Sequence, residues 1–149
     1  MSAATSYLPA GLPRPVPEAD GLDVPYWDGT RRGELCVQRC GGCDGWQWGP
    51  EWMCHWCLGF DLQWETVAPH GRIYSWERAW HPVHPALSGR GPYIVVLVEL
   101  PHAGGIRMVG NLLGDPQQEV TIGAAVEAVF EPHDEAAPPF TLVQWRKTA

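Results

Sequence analysis

Beyond residue 61 the chain alternates between apolar and polar positions with the two-residue period of β-strands. Gly, Pro, Asp or His bound these segments, and no helical period separates them. Several short strands within about 85 residues predict a small closed or partly closed β-barrel. One segment, PYIVVLVEL, is apolar at nearly every position, which predicts a strand covered on both faces. The predicted strands are LQWETV (62–67), GRIYSWERAW (71–80), PYIVVLVEL (92–100), IRMVGNLL (106–113), AAVEAVFE (124–131) and FTLVQWRK (140–147).

The N-terminal part of the chain follows a different pattern. Residues 8–17, LPAGLPRPVP, are too rich in proline for regular structure and predict an extended arm that could wrap a partner. The following stretch, LDVPYWDGTRRG, predicts one short helix. Asp23 is its expected N-cap, Pro25 lies in its first turn, and Gly33 is its expected stop.

Four of the five cysteines form two CxxC pairs, CGGC and CHWC, separated by residues 44–53. Two tight turns that face each other can hold four thiolates at ~2.3 Å from one tetrahedral metal ion. Duplicated CxxC spacing therefore predicts a structural zinc site, in a compact ribbon or rubredoxin-like knuckle pair because the insert is short. Iron in the same cage would instead make an electron carrier. The predicted ligands are Cys40, Cys43, Cys54 and Cys57.

The fifth thiol, Cys36, lies between Leu35 and Val37 on a predicted strand that leads into the first CxxC pair. No activating or resolving pattern surrounds it. A small buried hydrophobic residue is therefore favoured over a reactive nucleophile.

Charge and composition narrow the functional classes. The net charge of the 149-residue chain is −7, and Lys147 is the single lysine, which argues against nonspecific binding to nucleic acid. No apolar run reaches the ~18 residues of a membrane helix, and the N-terminus lacks the regions of a signal peptide. These features predict a cytoplasmic protein, where thiols stay reduced. The predicted organisation is an arm with a short helix (1–33), a zinc ribbon (34–61) and a barrel (62–149).

An ordered set of motifs resembles a known family, the acyl-CoA-associated OB-fold proteins with an N-terminal rubredoxin-like zinc ribbon. The resemblance runs from about Leu22 to Trp145 and is carried by YWDGTRRGELCVQRCGGC, CHWC, GRIYSW, PYIVVLVEL, GNLLG and IGAAVEAVFE. Two positions depart from the family pattern. WGPEW puts Glu51 at or near a position that is usually arginine, and Cys36 replaces an aliphatic residue.

The resemblance implies a mainly β fold with a short helix, a zinc ribbon and an OB-fold barrel. It also implies a non-catalytic or co-catalytic subunit that works beside a thiolase-superfamily protein, with a coenzyme A thioester as shared ligand. Members of this family pair with thiolases, hydroxymethylglutaryl-CoA synthases, acyltransferases and thiolase-like aldolases that shorten steroid side chains. The catalytic residues belong to the larger partner, and no GxSxG elbow, Walker loop or dinucleotide fingerprint is found here.

Two other functions stay open on the residues alone. OB barrels and zinc ribbons bind DNA or RNA in other proteins, but a nucleic-acid groove needs a basic stripe. A rubredoxin-type electron carrier would need iron in the thiolate cage.

Several residues are candidates for contact with acyl-CoA or the partner. The chain has nine tryptophans, and four of them crowd the ribbon, which is too small to bury them all. The longest connection between strong strands, WHPVHPALSGRGPY, holds two histidines that could bind a metal or thioester, although a loop made rigid by proline is favoured. Arginine suits a CoA phosphate. The candidates are Arg78, Trp80, His81, His84, Arg90, Tyr93, Trp48 and Trp52.

Overall fold

The computed structural model describes residues 16–17, 21–81 and 83–149. It confirms the predicted fold class, a mainly β protein with one short helix, a near-closed barrel and a cysteine cluster. Most of the predicted arm, residues 8–17, lies outside the described residues. The elements are α1 Val24–Arg31, β1 Leu35–Cys40, β2 Trp46–Gln47, β3 Leu62–Val67, β4 His70–Ala79, β5 Tyr93–Leu100, β6 Ile106–Asn111, β7 Ala125–His133 and β8 Phe140–Lys147, with short 3-10 helices at Pro85–Leu87 and Pro101–Ala103.

The helix begins and ends where its sequence predicts, but its first turn is held differently. Pro25 lies in the first turn, and Gly33 follows the helix with a left-handed φ of 74°. Asp23 is the N-cap residue, as predicted, but its side chain makes no capping hydrogen bond. Its carboxylate instead accepts a hydrogen bond from the indole Nε1 of Trp27 at 2.8 Å. Asp23 therefore orients an aromatic side chain of the helix.

The strands form two antiparallel sheets. A three-stranded sheet has the order β2-β1-β3, and a five-stranded sheet has the order β6-β5-β4-β7-β8. LQWETV is a strand, as predicted, but it pairs with β1 from Leu35 opposite Val67 to Cys40 opposite Leu62. This strand thus pairs with the strand that precedes the first CxxC pair, and not with a strand of the five-stranded sheet. The same alternation fits a strand in either sheet, because a two-residue period does not determine which strand pairs with it.

The five-stranded sheet closes on itself near the ends of β6 and β8. Leu112 forms a parallel bridge with Trp145, and the backbone N–H of Leu113 donates to the carbonyl of Trp145 at 2.8 Å. The Trp145 ring is fully buried, and a Cβ on Gly110 would lie 2.7 Å from it. Glycine at this position therefore lets the closing strands approach the ring.

The buried core joins the two sheets and the helix. On β5 the even-numbered residues from Ile94 to Leu100 are buried and the odd-numbered ones half-exposed, so the prediction of full cover on both faces was wrong. Tyr26, Leu35 and Val67 belong to the same buried cluster as the barrel residues. Strand β1 thus runs from this core to Cys40, which anchors the cysteine-rich segment on the barrel.

Candidate functional site

The structure brings the four predicted ligand thiols together. The Sγ atoms of Cys40, Cys43, Cys54 and Cys57 lie within 4.8 Å of one another. The Cys40–Cys57 and Cys43–Cys54 sulfur pairs are each 3.7 Å apart. A regular tetrahedron with metal–sulfur bonds of ~2.3 Å has edges of about 3.8 Å, so these separations fit one zinc-sized ion. In each CxxC pair the first cysteine, Cys40 or Cys54, is buried and the second, Cys43 or Cys57, is exposed.

The two CxxC turns repeat one backbone design. The N–H of Cys40 donates to the carbonyl of Gly45 at 2.9 Å, and the N–H of Cys54 donates to that of Gly59 at 2.8 Å. The residue before each of these glycines has left-handed backbone, with φ of 60° at Asp44 and 63° at Leu58. The repeated unit is therefore CxxCxG, which the sequence shows as CGGCDG and CHWCLG. The metal-site prediction rests on the shorter CxxC unit alone.

Backbone N–H groups also point to two of the four sulfur atoms, those of Cys40 and Cys54. The N–H of Gly42 points to the sulfur of Cys40 at 3.4 Å. The backbone N–H of Cys57, and after it that of Trp56, lower the pKa of the Cys54 thiol to about 7. Donors of this kind stabilise the thiolate, which is the form that binds a metal. Donor set, spacing and hydrogen bonds thus all suit a cation held by sulfur.

Two buried glutamines, which the sequence analysis missed, hold the approach to the second turn. Gln38 accepts from the N–H of Glu51 and donates to its carbonyl, both at 3.0 Å. Gln47 accepts from the N–H of His55 at 3.1 Å and donates to the carbonyl of Met53 at 3.4 Å. These bonds fix the backbone on both sides of Cys54, from residue 51 to residue 55.

Cys36 lies outside this cluster. Its side chain is buried, its sulfur is 3.7 Å from Oγ1 of Thr66, and a Cβ on Gly29 would come within 2.7 Å of that sulfur. Cys36 therefore fills the space between α1 and the three-stranded sheet. This placement agrees with a packing role.

Two of the contact candidates, Arg78 and His84, make hydrogen bonds to backbone groups of the chain itself. Arg78 donates from Nε to the carbonyl of Pro116 at 2.9 Å and from Nη2 to that of Gln118, and its guanidinium lies 5.3 Å from the Trp76 ring. His84 accepts through Nδ1 from the N–H of Ala86 at 3.2 Å. Arg78 thus holds the loop that precedes β7, and His84 caps a short helix.

The other candidates lie in several places. Trp80, His81 and Arg90 are exposed near or within the loop between β4 and β5, and Tyr93 is half-exposed at the start of β5. Trp48 packs edge to face on Tyr26, with ring centroids 4.8 Å apart, whereas Trp52 is exposed. The structure thus gathers the ligand cysteines into one site and spreads the contact candidates over ribbon and barrel. Their roles toward acyl-CoA or a partner stay predictions.

Comparisons with known proteins agree with this arrangement. Residues 64–131 match the family model described as ChsH2, C-terminal OB-fold domain. The fold also matches a chain in the solved structure of an Ltp2-ChsH2(DUF35) aldolase, at a TM-score of 0.70 and 31% identity, covering 91% of this chain and 100% of that one. The chain belongs to the DUF35 family. A DUF35 protein of unknown function from Sulfolobus solfataricus, 11% identical with a TM-score of 0.59, shares the fold.

Two curated relatives are similar in sequence to nearly the whole DUF35 chain. One is named a probable enoyl-CoA hydratase alpha subunit, from Thermomonospora curvata, and is 36% identical over 144 residues. Another is named a 3-oxo-4,17-pregnadiene-20-carboxyl-CoA hydratase alpha subunit, from Mycobacterium tuberculosis, and is 29% identical over 154 residues. The match covers 95% and 93% of this DUF35 chain but 42% and 45% of the relatives. The chain therefore spans less than half the length of these two proteins.

The described part of this DUF35 chain has one α-helix, of eight residues. None of its helices combines the length and the apolar character that crossing a bilayer requires.

Proposed function

We propose that this chain is a zinc-stabilised accessory subunit of a heteromeric enzyme that acts on acyl-CoA thioesters. The observation that carries the proposal is the match to a whole chain of an Ltp2-ChsH2(DUF35) aldolase at 31% identity. Two relatives named as alpha subunits of acyl-CoA hydratases also support a role in acyl-CoA metabolism. The preferred partner is a thiolase-like aldolase or thiolase, which would supply the catalytic nucleophile. The proposed location is the cytoplasm, where the thiols stay reduced.

The metal in this proposal is zinc with a structural role. Cys40, Cys43, Cys54 and Cys57 would hold it, and four thiolates leave no coordination position for water or substrate. Zinc binding in peptide models supplies about 10 to 16 kcal/mol, enough to order a segment that has little core of its own. Elemental analysis and colour test this part, since iron in the same cage would make the protein red and favour an electron carrier.

Acyl-CoA binding is the finer part of the proposal. Arg90 and the histidine His81 lie exposed in the loop between β4 and β5, where a guanidinium could meet a CoA phosphate near the partner's active site. A steroid-type acyl group is the proposed substrate class, supported by the name of the Mycobacterium tuberculosis relative.

Reconstitution tests the proposed function. The chain and a thiolase-like subunit encoded in the same genome would be expressed separately and together, and acyl-CoA cleavage would be followed as release of free aldehyde or ketone. We expect a stable complex on gel filtration, with activity only when both chains are present. Turnover by the isolated chain, or two chains that elute separately and never couple, would overturn the accessory role.

A parallel binding assay addresses nucleic acid. The net charge of −7 opposes binding to a phosphate backbone. Titration with a fluorescent single-stranded oligonucleotide at low salt is expected to show no saturable binding, and submicromolar binding would revive that alternative.

A further inference from the structure

The two CxxC turns have the same backbone but very different side chains. In the first turn, the two residues between the cysteines and the left-handed residue after them are Gly41, Gly42 and Asp44. The second turn has His55, Trp56 and Leu58 at the same places. A metal cage of four thiolates needs none of these side chains, because the first turn is built without them. Trp56 has a structural contact within the ribbon, since its Nε1 donates to the carbonyl of Trp46 at 2.9 Å and its ring lies close to Gly45. The apolar surface that Trp56 and Leu58 still expose calls for another explanation.

These apolar side chains are exposed. Within residues 52–60, which we call the second-knuckle loop, Trp52 is 68% exposed, Trp56 67%, Leu58 63% and Phe60 79%. The loop is compact, since the N–H of Leu58 donates back to the carbonyl of Cys54 at 2.9 Å. Four large apolar side chains thus project from one tight loop. Exposed apolar clusters of this kind mark sites of interaction with other proteins.

Leu58 is the most informative of the four. A left-handed backbone is unfavourable for leucine and is tolerated better by glycine, asparagine or aspartate, as at Asp44. Leu58 adopts it while most of its side chain stays exposed, so burial within the chain does not compensate. A partner that covers Leu58 would provide this missing burial.

The charge around the loop indicates what kind of partner fits. Residues 40–61 contain Asp44, Glu51 and Asp61 and no lysine or arginine. All three acidic residues are exposed, and Asp44 also lies 3.4 Å from Arg39, a residue that contacts Glu65 as well. Two copies that met face to face through this loop would bring like charges together. An apolar socket with a basic rim on a different protein is the complementary surface.

We infer that the second-knuckle loop is a docking surface, and that its occupant is the larger subunit of the proposed enzyme, through an apolar pocket rimmed by arginine or lysine. This inference rests on the proposed function and adds the surface by which the subunits meet. Each aromatic ring offers ~150–250 Å² of surface, so the loop exposes apolar area on the order of 500 Å². That is more than half of the ~800 Å² that one partner buries in a standard interface.

Two substitutions test the surface without touching the cage. In Leu58→Asn the new residue accepts the left-handed backbone more readily, so zinc content should stay stoichiometric and the melting temperature equal or higher. Phe60→Ser removes the most exposed ring of the second-knuckle loop. Val109→Ser and Ile122→Ser are matched controls, since these residues are 67% and 66% exposed on the barrel. The probe is the purified thiolase-like subunit encoded in the same genome, titrated against each zinc-loaded full-length variant.

We expect Leu58→Asn and Phe60→Ser each to weaken binding about tenfold or more, because anchors of an interface carry most of its binding energy. The controls should bind within about twofold of the unaltered chain. The association rate should also fall as salt rises from about 0.05 to 0.5 M, as charge complementarity requires.

Each alternative result has a distinct meaning. Unchanged affinity of both loop variants, with a complex formed by the unaltered chain, would overturn the docking surface and leave the proposed function intact. Failure of the unaltered chain to bind would remove the proposed function and this inference with it. Sedimentation of the isolated chain as a dimer that Leu58→Asn and Phe60→Ser disrupt would replace the larger subunit with a second copy.

Discussion

The side chain of Gln47 donates from Nε2 to Oε1 of Gln38 at 3.0 Å, and both residues are buried. The pair joins β2 to β1, and its remaining hydrogen bonds go to backbone groups of residues 51–55. The first CxxC turn follows directly from β1, but the second is separated from it by the insert. The two amides thus connect the second turn to the strand that carries Cys40.

Gln47→Leu should loosen the second turn. The substitution keeps similar volume but removes the hydrogen-bond partner of the His55 N–H, of the Met53 carbonyl and of the buried Oε1 of Gln38, at a cost of about 2 kcal/mol. We expect faster zinc release to a chromogenic chelator while the circular dichroism of the barrel is preserved. Gln117→Leu, at an exposed position, is the control. Equal release rates in both variants would show that the amide pair does not support the site.

The cysteine substitutions separate ligands from packing. Cys40→Ser and Cys57→Ser each remove one thiolate, so we expect loss of stoichiometric zinc and poor solubility. Cys36→Ala removes a buried sulfur outside the cluster and should keep its zinc, with a loss of about 1 kcal/mol in unfolding free energy. Elemental analysis of the three purified variants checks this. Full zinc content in Cys57→Ser would contradict the four-thiolate assignment.

Much of this architecture could be predicted because its chemistry is local in sequence. The CxxC spacing identifies a sulfur cage whatever the surrounding fold, and the alternating burial of β5 and of the first residues of β6 follows from one face being covered. The strand at 62–67 shows the limit of this reasoning. Its alternation predicts a strand, but its pairing with β1 depends on contacts from Leu35–Val67 to Cys40–Leu62, which the period does not encode.

The supporting residues of the site were harder to predict. Gln38 and Gln47 bind backbone groups up to 13 residues away, and glutamine has no pattern that marks such a role. Arg78 is a predicted contact for a CoA phosphate, and the sequence does not reveal that its guanidinium also binds the carbonyls of Pro116 and Gln118. The left-handed positions at Asp44 and Leu58 did leave a signal, the repeated CxxCxG unit.

The buried phenol of Tyr26 should make the stability of the fold decline at alkaline pH. Burial, and after it the carboxylate of Asp23, raise the pKa of Tyr26 well above its usual value of ~10. The folded chain therefore keeps the phenol neutral while the unfolded chain releases its proton near the usual value. The stabilisation is complete below pH ~10 and declines as pH rises further, by up to about 1.4 kcal/mol per pH unit.

Tyr26→Phe removes this proton and should flatten the decline. Urea unfolding at pH of about 9 and 11 measures it, and the unaltered chain is expected to lose about 1 kcal/mol more than the variant over that range. Tyr74→Phe is the control, because Tyr74 is exposed on β4. An identical slope in the unaltered chain and Tyr26→Phe would contradict the buried phenol as its source.

Arg78 and Arg90 should separate stability from ligand binding. Arg78→Ala loses the hydrogen bonds to the carbonyls of Pro116 and Gln118 and the contact with Trp76, so the loop before β7 is released. Because Arg78 is half-exposed, the expected loss is about 1 to 2 kcal/mol, which lowers the melting temperature by several degrees. Arg90→Ala changes an exposed side chain and should leave the melting temperature within about one degree.

In the reconstituted complex, Arg90→Ala is expected to weaken acyl-CoA binding by about fivefold through loss of a charge-assisted contact with phosphate. Differential scanning fluorimetry and calorimetric titration measure the two effects. A CoA defect confined to Arg78→Ala, with no change in melting temperature, would return Arg78 to the binding surface.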